Sequence, residues 1–87
     1  MATVWIPALL RTFTNGAAFV QANGSNVGEL IDDLERRYPG IRARLVASGQ
    51  LRPTISLVVD GVTSKQGLRQ PVRDSSEVHL IPAMSGG

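Results

Sequence analysis

The stretch that decides the fold is NVGELIDDLERRYPG, residues 26–40. Asn26 can cap a helix, and Glu29 three residues later can return a hydrogen bond to the preceding chain, as in a capping box. Apolar side chains recur at helical spacing and form one stripe, made of Val27, Leu30, Ile31, Leu34 and Tyr38. Because Pro39-Gly40 ends this pattern, we predict one amphipathic helix that buries one side.

The charged residues of the same stretch favour a surface role. Four of the chain's seven acidic residues lie within residues 29–35. Asp32 with Arg36, and Asp33 with Arg37, have the spacing of side chains that form ion pairs along a helix. We therefore interpret the acidic run as a solvated helix face rather than as a binding site.

Alternating apolar and polar residues on both sides of the helix predict strands. The expected strands are residues 3–7, 17–22, 54–59, 62–64 and 77–81. Thr14-Asn15-Gly16 and Asp60-Gly61 supply tight turns, since Asn, Asp and Gly tolerate positive φ. Residues 41–49 predict a short helical turn with Ile41 and Leu45 inward. One helix can cover only one face of such a sheet, so we expect the opposite face to meet solvent or a partner.

The composition excludes several classes of function. The 87 residues, 43% of them hydrophobic, fit one small globular domain. The absence of cysteine excludes disulfides, thiolate metal sites and a cysteine nucleophile, and one histidine among scattered acids gives no metal-ligand cluster. No apolar run is long enough to span a membrane, and the first residues lack a basic leader pattern. We therefore expect a cytoplasmic protein with no membrane partner.

The charge pattern argues against nucleic acid as a partner. The formal charge is +2, and the basic residues are not interleaved with aromatic side chains that could stack on bases. Arg11, Arg69 and Arg73 could pair with acidic groups of a protein partner, but we favour simple solvation for them. Because the Ser, His and acidic residues form no nucleophile motif, we do not expect a stand-alone enzyme.

The sequence stops at Met84-Ser85-Gly86-Gly87, directly after the last strand pattern. Glycine has no Cβ, so a Gly-Gly end is narrow and flexible. From Pro82 to Gly87, five residues extend roughly 17 Å, enough for the terminal carboxylate to enter another protein's active site. The alternative is a frayed terminus. We therefore divide the chain into a folded domain, residues 1–82, and a tail, residues 83–87.

The order of these motifs resembles the β-grasp fold of ubiquitin and, more narrowly, the ThiS/MoaD family of prokaryotic sulfur carriers. The similar segments are residues 4–7, 10–11, 16, 27–34, 38–40, 58–61, 77–83 and 86–87. The Ile-Pro-x-Leu-Leu-Arg opening and the Pro-Ala-x-x-Gly-Gly close are most similar to carriers that supply sulfur for cysteine synthesis in actinobacteria. One departure is Ser75-Ser76, where family members often have Gly-Asp before the last strand.

The resemblance implies an α+β, ubiquitin-like fold, with a mixed sheet of four to five strands packed on one main helix and a flexible C-terminal tail. It also implies a carrier that binds no cofactor itself. An E1-like enzyme would use ATP and Mg²⁺ to adenylate Gly87, and a sulfur donor would convert this end to a thiocarboxylate. Ser85 and Gly86 would thread the tail into the partner enzymes.

The resemblance further implies two kinds of partner besides the E1-like enzyme. One is a downstream sulfur-accepting synthase, for cysteine or for molybdopterin, thiazole or a thio-natural product. The other is a metalloprotease that cleaves the tail. Two different functions stay open at this point, namely a ubiquitin-like modifier joined to lysine and a plain β-grasp interaction module.

The docking surface is predicted from strand alternation. If Val78 and Leu80 face the helix, then Trp5, His79 and Ile81 project from the uncovered face of the sheet. An exposed tryptophan beside an aliphatic residue is a typical interface anchor. The predicted partner-binding residues are Trp5, His79, Ile81, Pro82 and Met84. The alternative is that Trp5 lies under a loop and that His79 is an ordinary surface residue.

Overall fold

The computed structural model describes residues 1–83, which are built around one mixed sheet of five strands. Its strands are β1 (Ala2–Trp5), β2 (Phe19–Ala22), β5 (Ile55–Val59), β6 (Val62–Ser64) and β7 (Glu77–Pro82). Their order across the sheet is β2-β1-β7-β5-β6. The first and last strands, β1 and β7, lie side by side in parallel, and the other pairs are antiparallel. The sheet packs on one main helix, so the predicted β-grasp architecture is confirmed.

The main helix, α1 (Val27–Arg37), forms where the sequence predicts it. Its apolar stripe is buried, with Leu30, Ile31 and Leu34 each at most 1% exposed. These side chains pack in one core cluster with the inward residues of the sheet, among them Val4, Leu57, Val78 and Leu80. Because apolar burial is worth about 25 cal/mol per Å², this contact stabilises the domain.

The start of α1 differs from the predicted capping box in one respect. The Asn26 side chain accepts a hydrogen bond from the Glu29 N–H at 2.8 Å, as predicted. The Glu29 carboxylate, however, reaches Ser25 and accepts from its N–H at 2.7 Å and its hydroxyl at 2.9 Å. Ser25 offers two donors to the same oxygen, and these bonds, the backbone one first, lower the pKa of Glu29.

The predicted ion pairs along α1 are only partly present. Asp33 does pair with Arg37, at 3.1 Å, but Asp32 pairs with Arg42 at 2.9 Å rather than with Arg36, which turns to Asp33. Asp33 is only 6% exposed, so the prediction of a fully solvated acidic face is wrong there. The reason is tertiary, since Asp33 lies against the end of β2 and accepts a hydrogen bond from the Asn23 N–H at 3.0 Å.

The chain between α1 and β5 contains a predicted helix and an unpredicted hairpin. Helix α2 (Ile41–Leu45) buries Ile41 and Leu45 completely, as expected. It is followed by β3 (Val46–Ala47) and β4 (Gln50–Leu51), which pair with each other in a separate ribbon. Ser48 and Gly49, with φ of 54° and 75°, make the turn. A Ser-Gly pair is a turn signal, but strands of two residues are too short to show an alternating pattern.

The other turns follow the predicted chemistry with one change in extent. Asp60 and Gly61 have φ of 51° and 82°, as a two-residue hairpin turn between β5 and β6 requires. Asn15 and Gly16 also have positive φ. They do not join two strands directly, because β1 ends at Trp5 and a short 3-10 turn, Ala8–Leu10, intervenes before β2.

Ser76 closes the turn before β7, where the sequence departs from the family pattern. Ser76 is only 2% exposed, and its hydroxyl donates to the Asp60 carboxylate and accepts from the Arg73 N–H, both at 2.9 Å. Its carbonyl accepts from the Thr3 N–H at 2.9 Å. Asp60 also accepts from the Glu77 N–H at 2.9 Å. This network therefore holds the start of β7 to β1 and to the β5–β6 turn.

Candidate functional site

The foot of the predicted tail lies at the end of β7. The sheet register pairs Pro82 with Ile55, and the Ala83 N–H donates one further hydrogen bond to the Thr54 carbonyl. The predicted adenylation site Gly87, the threading residues Ser85 and Gly86, and the docking residue Met84 lie outside the described residues. Four residues follow Ala83 in the sequence, so Gly87 can be at most about 14 Å from it.

The uncovered face of the sheet brings together three of the predicted docking residues. Trp5 and His79 are register partners on β1 and β7, and their rings stack at 5.3 Å with an interplanar angle of 6°. Ile81 follows on the same face of β7 and is 47% exposed. Pro82 belongs to the opposite alternation of β7 and is also exposed.

Phe19 is a fourth member of this surface, which the sequence prediction did not include. It pairs with Trp5 across β1 and β2, the two rings are 4.8 Å apart, and Phe19 is 50% exposed. The signal was present in the alternation of β2, because an inward Val20 requires an outward Phe19. We call Phe19, Trp5, His79 and Ile81 the open-face patch.

Trp5 is held in place by its neighbours on adjacent strands. Its ring contacts both Phe19 and His79, and its Nε1–H donates to the Glu77 carboxylate at 3.2 Å. Aromatic pairs of this kind contribute about 0.5–1.5 kcal/mol beyond the area they bury. The patch therefore presents a pre-ordered aromatic surface with polar atoms at one edge, which is the composition of protein-binding hot spots.

The acidic residues with perturbed ionisation serve the fold. Bonds from the Gly40 N–H, and next from the Arg42 N–H, lower the pKa of Glu35 and close the end of α1. Asp33 has a lowered pKa, chiefly through its bond from the Asn23 N–H. The pKa of Asp60 is lowered by the Glu77 N–H and then by the Ser76 hydroxyl. Each of these carboxylates has a structural hydrogen bond as its main partner.

The arginines, possible metal sites and possible membrane-spanning helices are further features that could serve a function. Arg11 donates from Nε to the Ile6 carbonyl at 3.1 Å, so it has a role within the β1–β2 connection. In residues 1–83 no group of three or more His, Asp or Glu side chains is placed to hold a metal ion. The described helices include none with the length and apolarity needed to cross a membrane.

Comparison with known proteins shows that this chain is similar to small carrier and modifier proteins. A family model described as the ThiS family matches residues 4–87. The sulfur carrier protein CysO of Mycobacterium tuberculosis is 37% identical over 98% of this chain and 97% of its own length. In the crystal structure of the Amycolatopsis orientalis BexX/CysO complex, a chain with 40% identity superposes with a TM-score of 0.93 and full coverage of both chains. Small archaeal modifier protein 3 of Haloferax volcanii is 28% identical over 72% of this chain and 71% of its own.

Proposed function

Because this chain belongs to the ThiS family, we propose that it is a sulfur carrier protein whose terminal carboxyl group, at Gly87, carries the sulfur. The observation that carries this proposal is the similarity to CysO over 98% of the chain, together with a family match that extends to residue 87. The fold supports it, since the last strand runs through the centre of the sheet and delivers the chain to the surface at Ala83.

The proposed chemistry begins with activation, because a carboxylate is a poor electrophile. In an E1-like enzyme that holds Mg²⁺, a Gly87 carboxylate oxygen attacks the α-phosphorus of ATP and expels pyrophosphate, which gives an acyl-adenylate. Sulfide, as HS⁻, then attacks the carbonyl and expels AMP, and loss of the sulfur-bound proton leaves a thiocarboxylate. The carrier supplies no acid, base or metal to these steps. It contributes position, through a body that docks and a tail that delivers the reacting atom.

The proposed fate of the sulfur is transfer to a synthase. The thiocarboxylate is an anionic nucleophile at neutral pH, so it attacks an activated acceptor without a base from the carrier. The similarity to CysO favours a synthase that makes cysteine. Other acceptors are molybdopterin, thiazole or thio-natural-product intermediates, and a metalloprotease that cleaves the tail is a third partner in this scheme.

The open-face patch is the docking surface of this proposal. Its aromatic members are adjacent, partly exposed and already stacked on one another, so binding a partner would cost little side-chain entropy. The patch runs along β7 to Ile81, and therefore lies on the same strand that leads to the tail. An enzyme that accepts the tail can hold the patch at the same time.

Intact-mass measurement tests the proposed function. The full chain is incubated with the E1-like enzyme of the same organism, ATP, Mg²⁺ and sulfide. We expect the mass to rise by the difference between sulfur and oxygen, and we expect no change when Gly87 is deleted. If the Gly87-deleted chain still acquires sulfur, the assignment of the terminal carboxyl group is wrong.

The similarity to an archaeal modifier protein favours a second candidate function, which is covalent attachment to other proteins. In that case the activated Gly87 carbonyl would be attacked by a lysine amine of another protein, which forms an isopeptide bond and releases AMP. The same incubation with a cell extract separates the two functions. A covalent adduct with a second protein, in place of the sulfur-bearing chain, identifies a modifier.

A further inference from the structure

A second apolar surface lies at the foot of the tail, on the helix side of the sheet. It is a groove of about 490 Å³ between the β1–β2 connection and the end of β7. Its apolar walls include Pro7, Leu10, Phe13, Ile55 and Pro82. Val78 and Leu80 alternate onto the same side of β7 as Pro82, so the groove and the open-face patch occupy opposite faces of that strand.

Leu9 lies on the rim of this groove, and its side chain is exposed although it is a large apolar residue. It sits in the 3-10 turn Ala8–Leu10, which has no buried residue, and it is 87% exposed. Its neighbour Leu10 packs against the core and holds the turn in place. The fold therefore anchors this turn through Leu10 and presents Leu9 to solvent. Because burial of a leucine side chain is strongly favourable, Leu9 can anchor a partner that covers it.

Arg44 adds a positive charge to the same rim. It lines the groove from α2 and is exposed. The neighbouring arginines are engaged within the fold, since Arg42 pairs with Asp32 and Arg52 donates to the Ala43 carbonyl. Within residues 1–83, Arg44 has no carboxylate within ion-pair distance. The groove thus combines apolar walls with a cation that can bind a carboxylate of a partner.

The short tail keeps an enzyme that acts on Gly87 close to this groove. The tail is tied to the sheet by the Ala83–Thr54 hydrogen bond, and Thr54 itself lines the groove. Four residues beyond Ala83 span at most about 14 Å. An active site that encloses the Gly87 carbonyl and its leaving group must bring the entrance of its channel against the place where the tail begins.

We infer that this groove, with Leu9 and Arg44 on its rim, is a second docking surface that receives an apolar side chain and a carboxylate at the entrance of the activating enzyme's tail channel. This inference rests on the proposed function. It assigns the two surfaces different tasks. The open-face patch holds the body of the carrier, and the groove aligns the tail with the channel.

The test is steady-state kinetics of pyrophosphate release by the E1-like enzyme, with the full chain as the varied substrate. We expect Leu9→Asp to raise KM about tenfold, the size of one interface anchor, and to leave kcat at saturation unchanged. Arg44→Glu should raise KM about three- to tenfold. Arg44→Ala should also have a higher KM than the unmutated chain, and high salt should reduce this difference in KM, because salt screens the charge of Arg44. Val62→Asp is the matched control, since Val62 is 69% exposed on β6 at the far edge of the sheet, and its KM should not change.

The outcomes separate this inference from the proposed function. If the unmutated chain is activated but Leu9→Asp keeps its KM within about twofold, the groove is not a docking surface for this enzyme. If Leu9→Asp instead turns a dimer into a monomer in sedimentation with no change in KM, the groove binds a second copy of the chain, and the inference is likewise overturned. If the unmutated chain releases no pyrophosphate, the proposed function fails, and the inference fails with it. Because Leu9 is so exposed, the variant's melting temperature should match that of the unmutated chain.

Discussion

The two ends of strand β7 are built in opposite ways. At its start, Ser76 is buried, and Asp60 accepts from both the Ser76 hydroxyl and the Glu77 N–H. At its end, one hydrogen bond from Ala83 to Thr54 closes the pairing, and Ile81 and Pro82 are exposed. The polar network fixes the strand at one end, and exposed apolar side chains lie at the other. We therefore expect substitutions at the start of β7 to change stability and substitutions near its end to change function.

A bulky residue in the tail should produce the largest functional effect. Gly86→Trp should abolish sulfur loading, because a channel narrow enough to exclude water from an adenylate has no room for an indole ring. The free energy of unfolding should stay unchanged, since the substitution follows the last residue of the sheet. Intact mass after incubation with the activating enzyme and a urea titration measure the two quantities. Normal loading of this variant would contradict a narrow channel.

Removal of the central ring of the open-face patch should give the next largest effect. Trp5 contacts Phe19 and His79 and donates a hydrogen bond to Glu77, so it is the central side chain of the patch. Trp5→Ala should raise KM for the activating enzyme about tenfold or more, as loss of an aromatic hot spot does. Trp5→Phe is the control, because it keeps the aromatic contacts and loses only the bond to Glu77. Unchanged activation and transfer kinetics in Trp5→Ala would remove the patch from the docking surface.

A change at the start of β7 should lower the stability of the domain and leave sulfur loading unchanged. Ser76→Ala leaves the Arg73 N–H and one side of the Asp60 carboxylate without the bonds seen here. We expect the free energy of unfolding to fall by about 1–3 kcal/mol, as for loss of a buried partner. Sulfur loading at saturating enzyme should be normal. Ser75→Ala, at an exposed position, is the control, and equal stability of the two variants would show that the network contributes little.

The smallest predicted effect is on the pH dependence of stability. Hydrogen bonds from the Glu77 N–H, and then from the Ser76 hydroxyl, lower the pKa of Asp60 from its ordinary value of 3.8. A group whose pKa is lower in the folded state stabilises it above the unfolded-state pKa and loses this contribution as the pH falls through the folded-state value. The free energy of unfolding should therefore decline below pH 3.8 less steeply in Asp60→Asn than in the unmutated chain. Denaturant titrations at several acidic pH values give the two profiles, and profiles with the same slope would exclude this role.

The parts of the fold that were predicted are those whose signal is local. The stripe of α1 and the alternation of Val78 and Leu80 depend on a few neighbouring residues and on a core that must be covered. Asp33 was misassigned because its surroundings come from β2, which the helical pattern cannot reveal. The β3–β4 ribbon was missed because its strands are shorter than one alternation.

The candidate site was predictable to a different extent. The family resemblance pointed to Gly87, and alternation pointed to Trp5, His79 and Ile81. The exposure of Leu9 could not be predicted, because an Ile-Pro-x-Leu-Leu-Arg segment does not tell which leucine packs inward. That choice depends on how the 3-10 turn sits against the core, where Leu10 is the residue that makes contact.

The paired charges at the end of α1 also protect one edge of the sheet. The outward hydrogen-bonding groups of β2 lie at an open edge of the sheet, where another strand could add. Arg37 donates to the Gln21 carbonyl, and Asp33 accepts from the Asn23 N–H, so part of that edge is already satisfied from within. A strand arriving there would have to displace two ionic side chains. The same pairs that fasten the helix thus oppose edge-to-edge aggregation of a small protein.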